Sequence, residues 1–427
     1  MREMKDSGVE WIGEIPDKWQ TRKLFYLLSL IGSGTTPKGD EYYTGIGIPW
    51  LNTGDLNDGY IYSTDKYVSE NALNDYSALQ VYKPGSIVIA MYGATIGKLG
   101  LTEIELTTNQ ACCVMNTTKE MDRKILFYIL MTAKDYFIFL SYGAGQPNIS
   151  QKTIKHLKIP FANICEQKKI ANYLDTKCSK IDEIIEKQQA IIEKLKEYKL
   201  SVIIETVTKG LNPNVEMKDS GVEWIGQMPT SWDCTTVGMI ATVVRGASPR
   251  PAGDPLYFNG NDVPWITVAE VTKGDGKYVD GTETFLTFEG AKQSRIVEEG
   301  TLLLSNSGAT LGVPKITRIR GCINDGSVAF YNLSINQEFL LYLFKGRTFE
   351  LRKQMQGYGQ PNLNTTIVKG IEVPLPTELE QKTIVDFLDQ KCTAIEKTIE
   401  DREKAIEKLR EYKKSLIYEV VTGKKEV

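Results

Sequence analysis

An α+β fold is predicted, with two similar mixed α/β domains separated by two long antiparallel coiled-coil helices and an approximate two-fold relation between the halves. Three observations predict it. Half of the chain is written twice, each copy passes from short apolar stretches into an unbroken helical one, and the second helix supplies the partner that the first requires. The 427 residues exceed what one ordinary hydrophobic core organises, so two or more domains are expected.

The duplication comes first. Met4-Lys5-Asp6-Ser7-Gly8-Val9-Glu10-Trp11-Ile12-Gly13 returns unchanged from Met217 to Gly226. Ile48-Pro49-Trp50 returns as Val263-Pro264-Trp265, and Gly93-Ala94-Thr95-Ile96-Gly97 as Gly308-Ala309-Thr310-Leu311-Gly312. Gly145-Gln146-Pro147-Asn148 returns from Gly359 to Asn362, Glu166-Gln167-Lys168 from Glu380 to Lys382, and the segment Glu193 to Lys199 from Glu407 to Lys413. The offset stays between 212 and 215 residues, far longer than a solenoid repeat. Two like units of this size can pack about an approximate two-fold axis.

Within a copy, residues from about Arg22 to Ile159 form short apolar runs bounded by Gly, Pro, Asn and Asp, the texture of strands and turns. Ser86 to Ala90 and Gly300 to Leu304 are matching strands, and Asp122 to Tyr142 and Glu338 to Gln356 are matching helices. This predicts a largely antiparallel mixed domain. Pro160 and Pro374 close the two domains.

A different pattern follows. From Glu166 to Thr208 there is no Pro or Gly, and Leu174, Ile181, Gln188, Leu195 and Val202 recur every seven residues. Ile184, Ile191 and Tyr198 fill a second position of that heptad. Leu388, Ile395, Arg402, Leu409 and Leu416 repeat the register in the second copy. Such spacing lines one helix face and demands a partner helix. Some forty residues make a rod of roughly 60 Å. Gln188 and Arg402 sit in mid-seam, where a polar residue fixes register. A helix of this kind can also serve only to dimerise a protein, but here the partner lies in the same chain. The predicted boundaries are 1–160 for the first domain, 161–210 for its helix, 211–375 for the second domain and 376–427 for its helix.

Composition excludes several classes. A hydrophobic fraction of 41% with 25% charged residues is that of a globular protein. No uncharged apolar run approaches the roughly 18 residues of a membrane span, and the polar start from Met1 to Asp6 lacks a signal peptide's apolar core. The seven cysteines form no CxxC pair, so a reducing, cytoplasmic setting is expected and a disulfide framework is not. With His156 the only histidine, no metal site is expected, and a Ser-His-Asp triad is improbable. His156 reads as a surface residue. The net charge of −3 argues against coating DNA by bulk charge, though it permits a local basic groove or phosphate contacts made by partners.

Catalytic signatures are missing. Gly93 to Lys98 resembles a phosphate loop but is one residue short and lacks the Ser or Thr after Lys, and Val313 stands where Lys98 does. Both copies read as tight turns after a buried strand. Asn212-Pro213-Asn214 lacks the aromatic of a base-methylating Asn-Pro-Pro-Tyr loop, and Gln146-Pro147-Asn148 is no match either. No catalytic residue, and no cofactor held by this chain, is expected.

Taken together, the opening motif, Ile-Pro-Trp, Gln-Pro-Asn, and Glu-Gln-Lys leading into a long charged helix, all present twice, resemble the specificity subunit of Type I restriction–modification systems. The resemblance covers essentially the whole chain. It implies a non-catalytic, DNA-binding subunit with two target-recognition domains, each reading one half of a bipartite site in double-stranded DNA. It implies that the helices measure the spacer and dock two modification subunits, which bind S-adenosylmethionine and methylate adenine. Restriction subunits with translocase activity are further implied partners. A coiled-coil scaffold that binds proteins rather than DNA is the alternative reading.

Half-sites differ, whereas a scaffold is shared, so divergent polar loops are the candidates for base reading. They are Ser33 to Ile46 against Arg245 to Asn261, and Lys98 to Thr108 against Val313 to Cys322. The candidate DNA-binding residues are Lys38, Tyr42, Tyr43 and Lys98 in the first copy, and Arg245, Arg250, Lys315, Arg318 and Arg320 in the second. Arg grips guanine or phosphate bidentately, and Lys meets phosphate as a point charge. Gly93, Gly97, Gly308 and Gly312 read as fold residues. Gln146, Asn148, Gln360 and Asn362 suit either a helix cap or the DNA backbone.

Overall fold

The computed structural model describes all residues except 1, 142–146, 309 and 355–362. It divides into two compact units, the first built from two separate pieces of chain and the second from one continuous piece. Unit 1 joins Met1–Gln188 to Lys404–Val427, and unit 2 is Gln189–Glu403.

Unit 1 opens on the duplicated motif, folded as a hairpin that pairs Met4–Asp6 with Glu14–Pro16. Gly8 and Gly13 turn the chain here with φ of 66° and 69°, a region that glycine enters without strain. A five-stranded sheet follows in the order Leu28–Gly32, Cys112–Thr117, Ile87–Ala90, Leu99–Thr102, Gly59–Ile61. A four-stranded sheet orders Thr107–Thr108, Ile48–Leu51, Lys66–Val68 and Tyr43–Thr44. The pairing is largely antiparallel, as expected. Each sheet holds a parallel pair, Gly59–Ile61 beside Leu99–Thr102 and Ile48–Leu51 beside Thr107–Thr108. Short runs with the same alternation do not reveal strand direction. The expected helix from Asp122 to Tyr142 is two, Arg123–Thr132 and Lys134–Ser141.

Unit 2 repeats this plan. Met217–Asp219 pairs with Gln227–Pro229. Its five-stranded sheet runs Thr242–Arg245, Ser327–Tyr331, Leu302–Ser305, Pro314–Thr317, Tyr278–Val279. Here too the last pair is parallel, as is Phe258–Ile266 with Gly321–Ile323. The core joins Leu302, Leu304, Val328 and Phe330 of the sheet to Phe339, Leu340 and Phe344 of helix Gln337–Gln354. Ile203, Val207, Ile384 and Leu388 from the long helices enter the same core. Each such buried side chain contributes about 1.5–3 kcal/mol of transfer free energy, so the helix ends belong to the domain.

The long helices span Ile164–Lys209 and Glu378–Val421. Within unit 1 Arg2 reaches both Glu166, at the start of the first, and Glu426, just past the end of the second, at 2.6 and 3.4 Å. Asp182, further along the first helix, takes Lys413 at 2.7 Å, so the two run antiparallel. In unit 2 the Trp232 indole donates to Glu380 at the start of the second helix, and its ring lies 3.1 Å from where a Cβ on Gly210 would sit. Lys199 and Glu396 pair there at 3.0 Å.

The seven-residue seam requires correction. Leu174, Ile181, Leu388, Ile395 and Leu416 are buried, but Gln188, Leu195, Val202, Arg402 and Leu409 are only half-buried. Ile184 and Tyr198 are 44% and 51% exposed. Ile170, Ile181, Ile192 and Ile203, and Ile384, Ile395, Ile406 and Ile417 in the second helix, are buried at a spacing of eleven, beside buried Leu174, Cys178, Ile185, Leu388 and Cys392. Eleven residues in three turns is 3.67 per turn, close to a straight α-helix, whereas a heptad stripe drifts around the axis.

Two identical residues in each copy join helix to domain. The Gln167 amide accepts from Asp122 N–H and donates to the carbonyls of Glu120 and Ala162. Gln381 does the same with Asn336 N–H and the Pro376 carbonyl. Tyr128 donates to Asp175 at 2.8 Å and Tyr342 to Asp389 at 2.5 Å. Burial, then that carboxylate, pushes both phenols up. The cation on the shared Asp differs. Lys124 pairs with Asp175, whereas Lys277, from a strand edge, pairs with Asp389. No helix among the described residues is long and apolar enough to cross a membrane.

Candidate nucleic-acid interface

In unit 1 the loop after strand Leu28–Gly32 is fastened to the neighbouring sheet. A Cβ on Gly34 would lie 1.7 Å from the Thr108 carbonyl oxygen, so only glycine fits, and its N–H donates to Thr108 Oγ1 at 3.0 Å. Thr36 Oγ1 donates to the Gln110 side chain at 2.8 Å. Tyr42 donates to Asp75 at 2.9 Å and meets Tyr76 edge-on at 5.2 Å. The hydrogen bond to Asp75 raises the Tyr42 phenol, with burial adding to it. Tyr43 donates to the Pro37 carbonyl at 3.2 Å and packs edge-on against Trp50. Both tyrosines therefore shape the loop, and exposed Lys38, whose N–H donates to the Tyr76 hydroxyl, is carried on it.

Gly93–Thr95 is the expected tight turn after a buried strand, with Gly93 and Gly97 at positive φ. Half-buried Lys98 closes it through backbone bonds to Thr95 and Ala90. Asn148 bridges to Tyr92, which places the Pro147-Asn148 segment against this turn. Gln146, Gln360 and Asn362 lie outside the described residues. His156 is exposed at the end of helix Gln151–His156, Nδ1 2.7 Å from the Lys152 carbonyl.

In unit 2 the corresponding loop is fastened at the same place by different chemistry. A Cβ on Gly246 would lie 2.1 Å from the Asn324 carbonyl oxygen. Arg245 Nε donates to the Asp325 carbonyl at 2.8 Å, and Ser248 Oγ to the Asp325 carboxylate at 2.5 Å. Ser248 with Asp325 thus replaces Thr36 with Gln110. Exposed Arg250, on a cis peptide bond to Pro251, is held by its N–H to the Gln293 side chain at 3.1 Å.

The remaining candidates divide. Arg318 lies 3.6 Å over the Tyr278 ring and pairs with Asp280 at 3.0 Å, and Arg320 pairs with Glu298 at 2.9 Å. Both are exposed and reachable by phosphate. Lys315 is a correction. It is 2% exposed, its ammonium donates to the Lys273 carbonyl at 3.2 Å, and burial lowers its pKa. It stands on strand Pro314–Thr317, whose residues are all buried, rather than on a loop. Gly100 holds the equivalent place in unit 1, against Leu56 and Ile61. Sequence reading missed Gln110 and Asp325, although the change from Asn109-Gln110 to Asn324-Asp325 beside the shared strand was there to be seen.

The sequence profile of the Type I restriction modification DNA specificity domain matches residues 16–198 and 229–407. The Type I restriction enzyme MjaVIII specificity subunit of Methanocaldococcus jannaschii is 25% identical over 427 residues, covering 96% of this chain and 93% of its own. The Type I restriction enzyme StySPI specificity subunit of Salmonella potsdam is 23% identical, covering 88% and 83%. Among solved structures, a chain of a type I R-M system described for its complex assembly and conformational transition superposes with a TM-score of 0.73 at 17% identity, covering 95% and 98%. The HsdS subunit of Thermoanaerobacter tengcongensis gives 0.51 at 18% identity, covering 96% and 98%.

Proposed function

This chain belongs to the Type I restriction–modification DNA specificity family and serves in DNA recognition, and from that premise we propose that it is the non-catalytic reading subunit of a larger methylating complex. Each domain reads one half of a bipartite duplex site. The observation that carries this reading is the same scaffold built twice, with the loop fastened by Thr36–Gln110 in one copy and by Ser248–Asp325 in the other. Shared backbone gives shared docking, and altered loop chemistry gives a different half-site.

The antiparallel helices set the spacer and offer like surfaces to two modification subunits, which bring S-adenosylmethionine and methylate adenine. Restriction and translocase subunits join the same assembly. The working place is the cytoplasm, where chromosomal and incoming DNA meet.

The test is to purify the chain with its cognate modification subunit, methylate random-sequence DNA and map the modified adenines. A bipartite motif with a fixed spacer is expected, along with no methylation or cleavage by the chain alone in Mg²⁺ and S-adenosylmethionine. A gel shift on duplex DNA separates this reading from a protein-binding scaffold. A contiguous motif, or turnover by the isolated chain, would overturn the proposal.

A further inference from the structure

Where the long helix meets the sheet, unit 2 carries lysines at three positions that hold none in unit 1. Backbone pairing identifies the counterparts. Lys315 pairs with Leu303 as Gly100 pairs with Val88, and Tyr278 pairs with Ile316 as Tyr60 pairs with Leu101. Lys315 therefore answers to Gly100, and Lys277, just before Tyr278, to Gly59. On helix Gln337–Gln354, Lys345 follows Tyr342 by three residues, as Met131 follows Tyr128. Lys199 is the cation that both copies share, as Lys413 in the other.

Lys199, Lys277 and Lys345 line one cavity of about 280 Å³, together with Asp275, Asp389 and Glu396. Two of those carboxylates are engaged. Glu396 takes Lys199 at 3.0 Å, and Asp389 takes Lys277 and the Tyr342 hydroxyl. Asp275 is exposed on its loop. Lys345 instead donates to a loop carbonyl, that of Asp275, at 2.9 Å. Behind the cavity wall Lys315 donates to the Lys273 carbonyl at 3.2 Å, and its Nζ lies 3.8 Å from where a Cβ on Gly276 would sit. Neither lysine pairs with a carboxylate among the described residues, and the undescribed residues include no Asp or Glu. Burial, then repulsion from Lys199, lowers the Lys345 ammonium to about 8 against the pull of Glu396, with Lys315 adding to the repulsion. It is therefore still mostly charged at pH 7. Crowded like charges cost stability unless an anion joins them, so their retention calls for a reason.

We propose that this cavity is an anion site that takes a phosphate group, held by Lys345, Lys199 and Lys277, with Lys315 supplying charge from behind the wall. The volume falls just below the roughly 300–1,000 Å³ of sites for small organic ligands, which suits an ion-sized group. Lys199 comes from the long helix, Lys277 from beside strand Tyr278–Val279 and Lys345 from the domain helix. Ammonium groups from three elements can meet the oxygens of a tetrahedral anion, and Lys serves phosphate as a point charge. The group is a free phosphate ion or a phosphate of the DNA backbone, and either one ties the long helix to the second domain. Only the second source rests on the DNA-reading function above. Unit 1, with Gly59, Gly100 and Met131 at these places, holds no such site.

The test titrates the full chain with inorganic phosphate by calorimetry at pH 7, with ionic strength held constant by chloride. One saturable site per chain is expected, and affinity should fall about tenfold or more in Lys345→Met and in Lys199→Met. Thermal unfolding checks that each variant is folded, and Lys199→Met decides if Lys345→Met is not. Gel shifts on duplex DNA across a range of salt, with the modification subunits present, then separate the two sources. A backbone phosphate predicts that Lys345→Met weakens binding to all sequences alike and reduces the salt slope by about 1. A free ion predicts unchanged DNA affinity beside the lost phosphate binding. The inference is overturned if the wild type neither binds phosphate saturably nor differs from Lys345→Met in DNA affinity and salt slope. It is equally overturned if both variants bind phosphate as the wild type does, or if two equal sites per chain appear. If the wild-type complex binds no DNA, it is the broader function that fails, and the phosphate titration still decides this one.

Discussion

At the scale of single residues, charge matters less than where the backbone puts it. Lys315 and Arg318 are three apart, yet one is sealed in the sheet and the other lies over Tyr278 in reach of solvent. Lys345, on helix Gln337–Gln354, is the more perturbed amine. Burial, with Lys199 and Lys315 in support, lowers its ammonium from 10.5 to about 8, against the pull of Glu396. Its Nζ donates to the Asp275 carbonyl at 2.9 Å. Between pH 8 and 10.5 the folded chain therefore holds fewer protons here than the unfolded chain, so stability rises with pH across that window. Below it the charged amine costs stability. Lys345→Met should stabilise unit 2 at pH 7 by about 1–3 kcal/mol and flatten the rise, as read by urea unfolding at several pH values. A variant no more stable than the parent at pH 7 would refute the assignment.

At the scale of elements, the period of the buried stripe decides how the helices tolerate change. Ile170, Ile181, Ile192 and Ile203 face the core at intervals of eleven, as do Ile384, Ile395, Ile406 and Ile417. At 3.67 residues per turn the stripe returns to the same face after eleven residues, and is about 30° off after four or seven. Matched eleven-residue insertions in both helices, the first after Lys187, should therefore melt near the parent temperature. Matched four-residue insertions should melt lower. In the assembled complex the longer insertion adds about 16 Å, and the preferred spacer should grow by about five base pairs. An unchanged spacer in a stably folded variant would refute the helices' measuring role. The heptad expectation holds at Leu174, Ile181, Leu388, Ile395 and Leu416 and misses at Ile184 and Tyr198, because seven-residue spacing also catches residues on the flank of a wider stripe.

At the scale of the whole molecule, the first unit is completed by chain from the far end of the sequence, whereas the second is one continuous stretch. In unit 1 Leu416, Ile417, Val420 and Val421 are buried, and Tyr418 donates to the Ile12 carbonyl at 2.9 Å. Gly423 turns the chain at φ 74°, where a Cβ would sit 2.4 Å from the Pro16 ring. Ending the chain after Glu403 should therefore loosen the first domain far more than the second. Limited proteolysis should cleave within 1–188 while a fragment inside 189–403 persists. Equal resistance in both would show that the distant segment contributes little.

The sequence by itself determined the duplication, the mixed α/β class, the long helices and the divergent loops. All of these are written as local pattern or as identity between distant segments, and both survive without coordinates. The Gln167 and Gln381 pair and the Tyr128–Asp175 and Tyr342–Asp389 pairs fall in or beside segments that match between the copies, and their structural work agrees with that. Only the tertiary structure decided strand direction, the burial of Lys315 and the eleven-residue spacing of the buried isoleucines. Those depend on which residues become neighbours across long stretches of chain. A side chain's accessibility and hydrogen-bond partners are set by that packing, and spacing along the chain does not contain it.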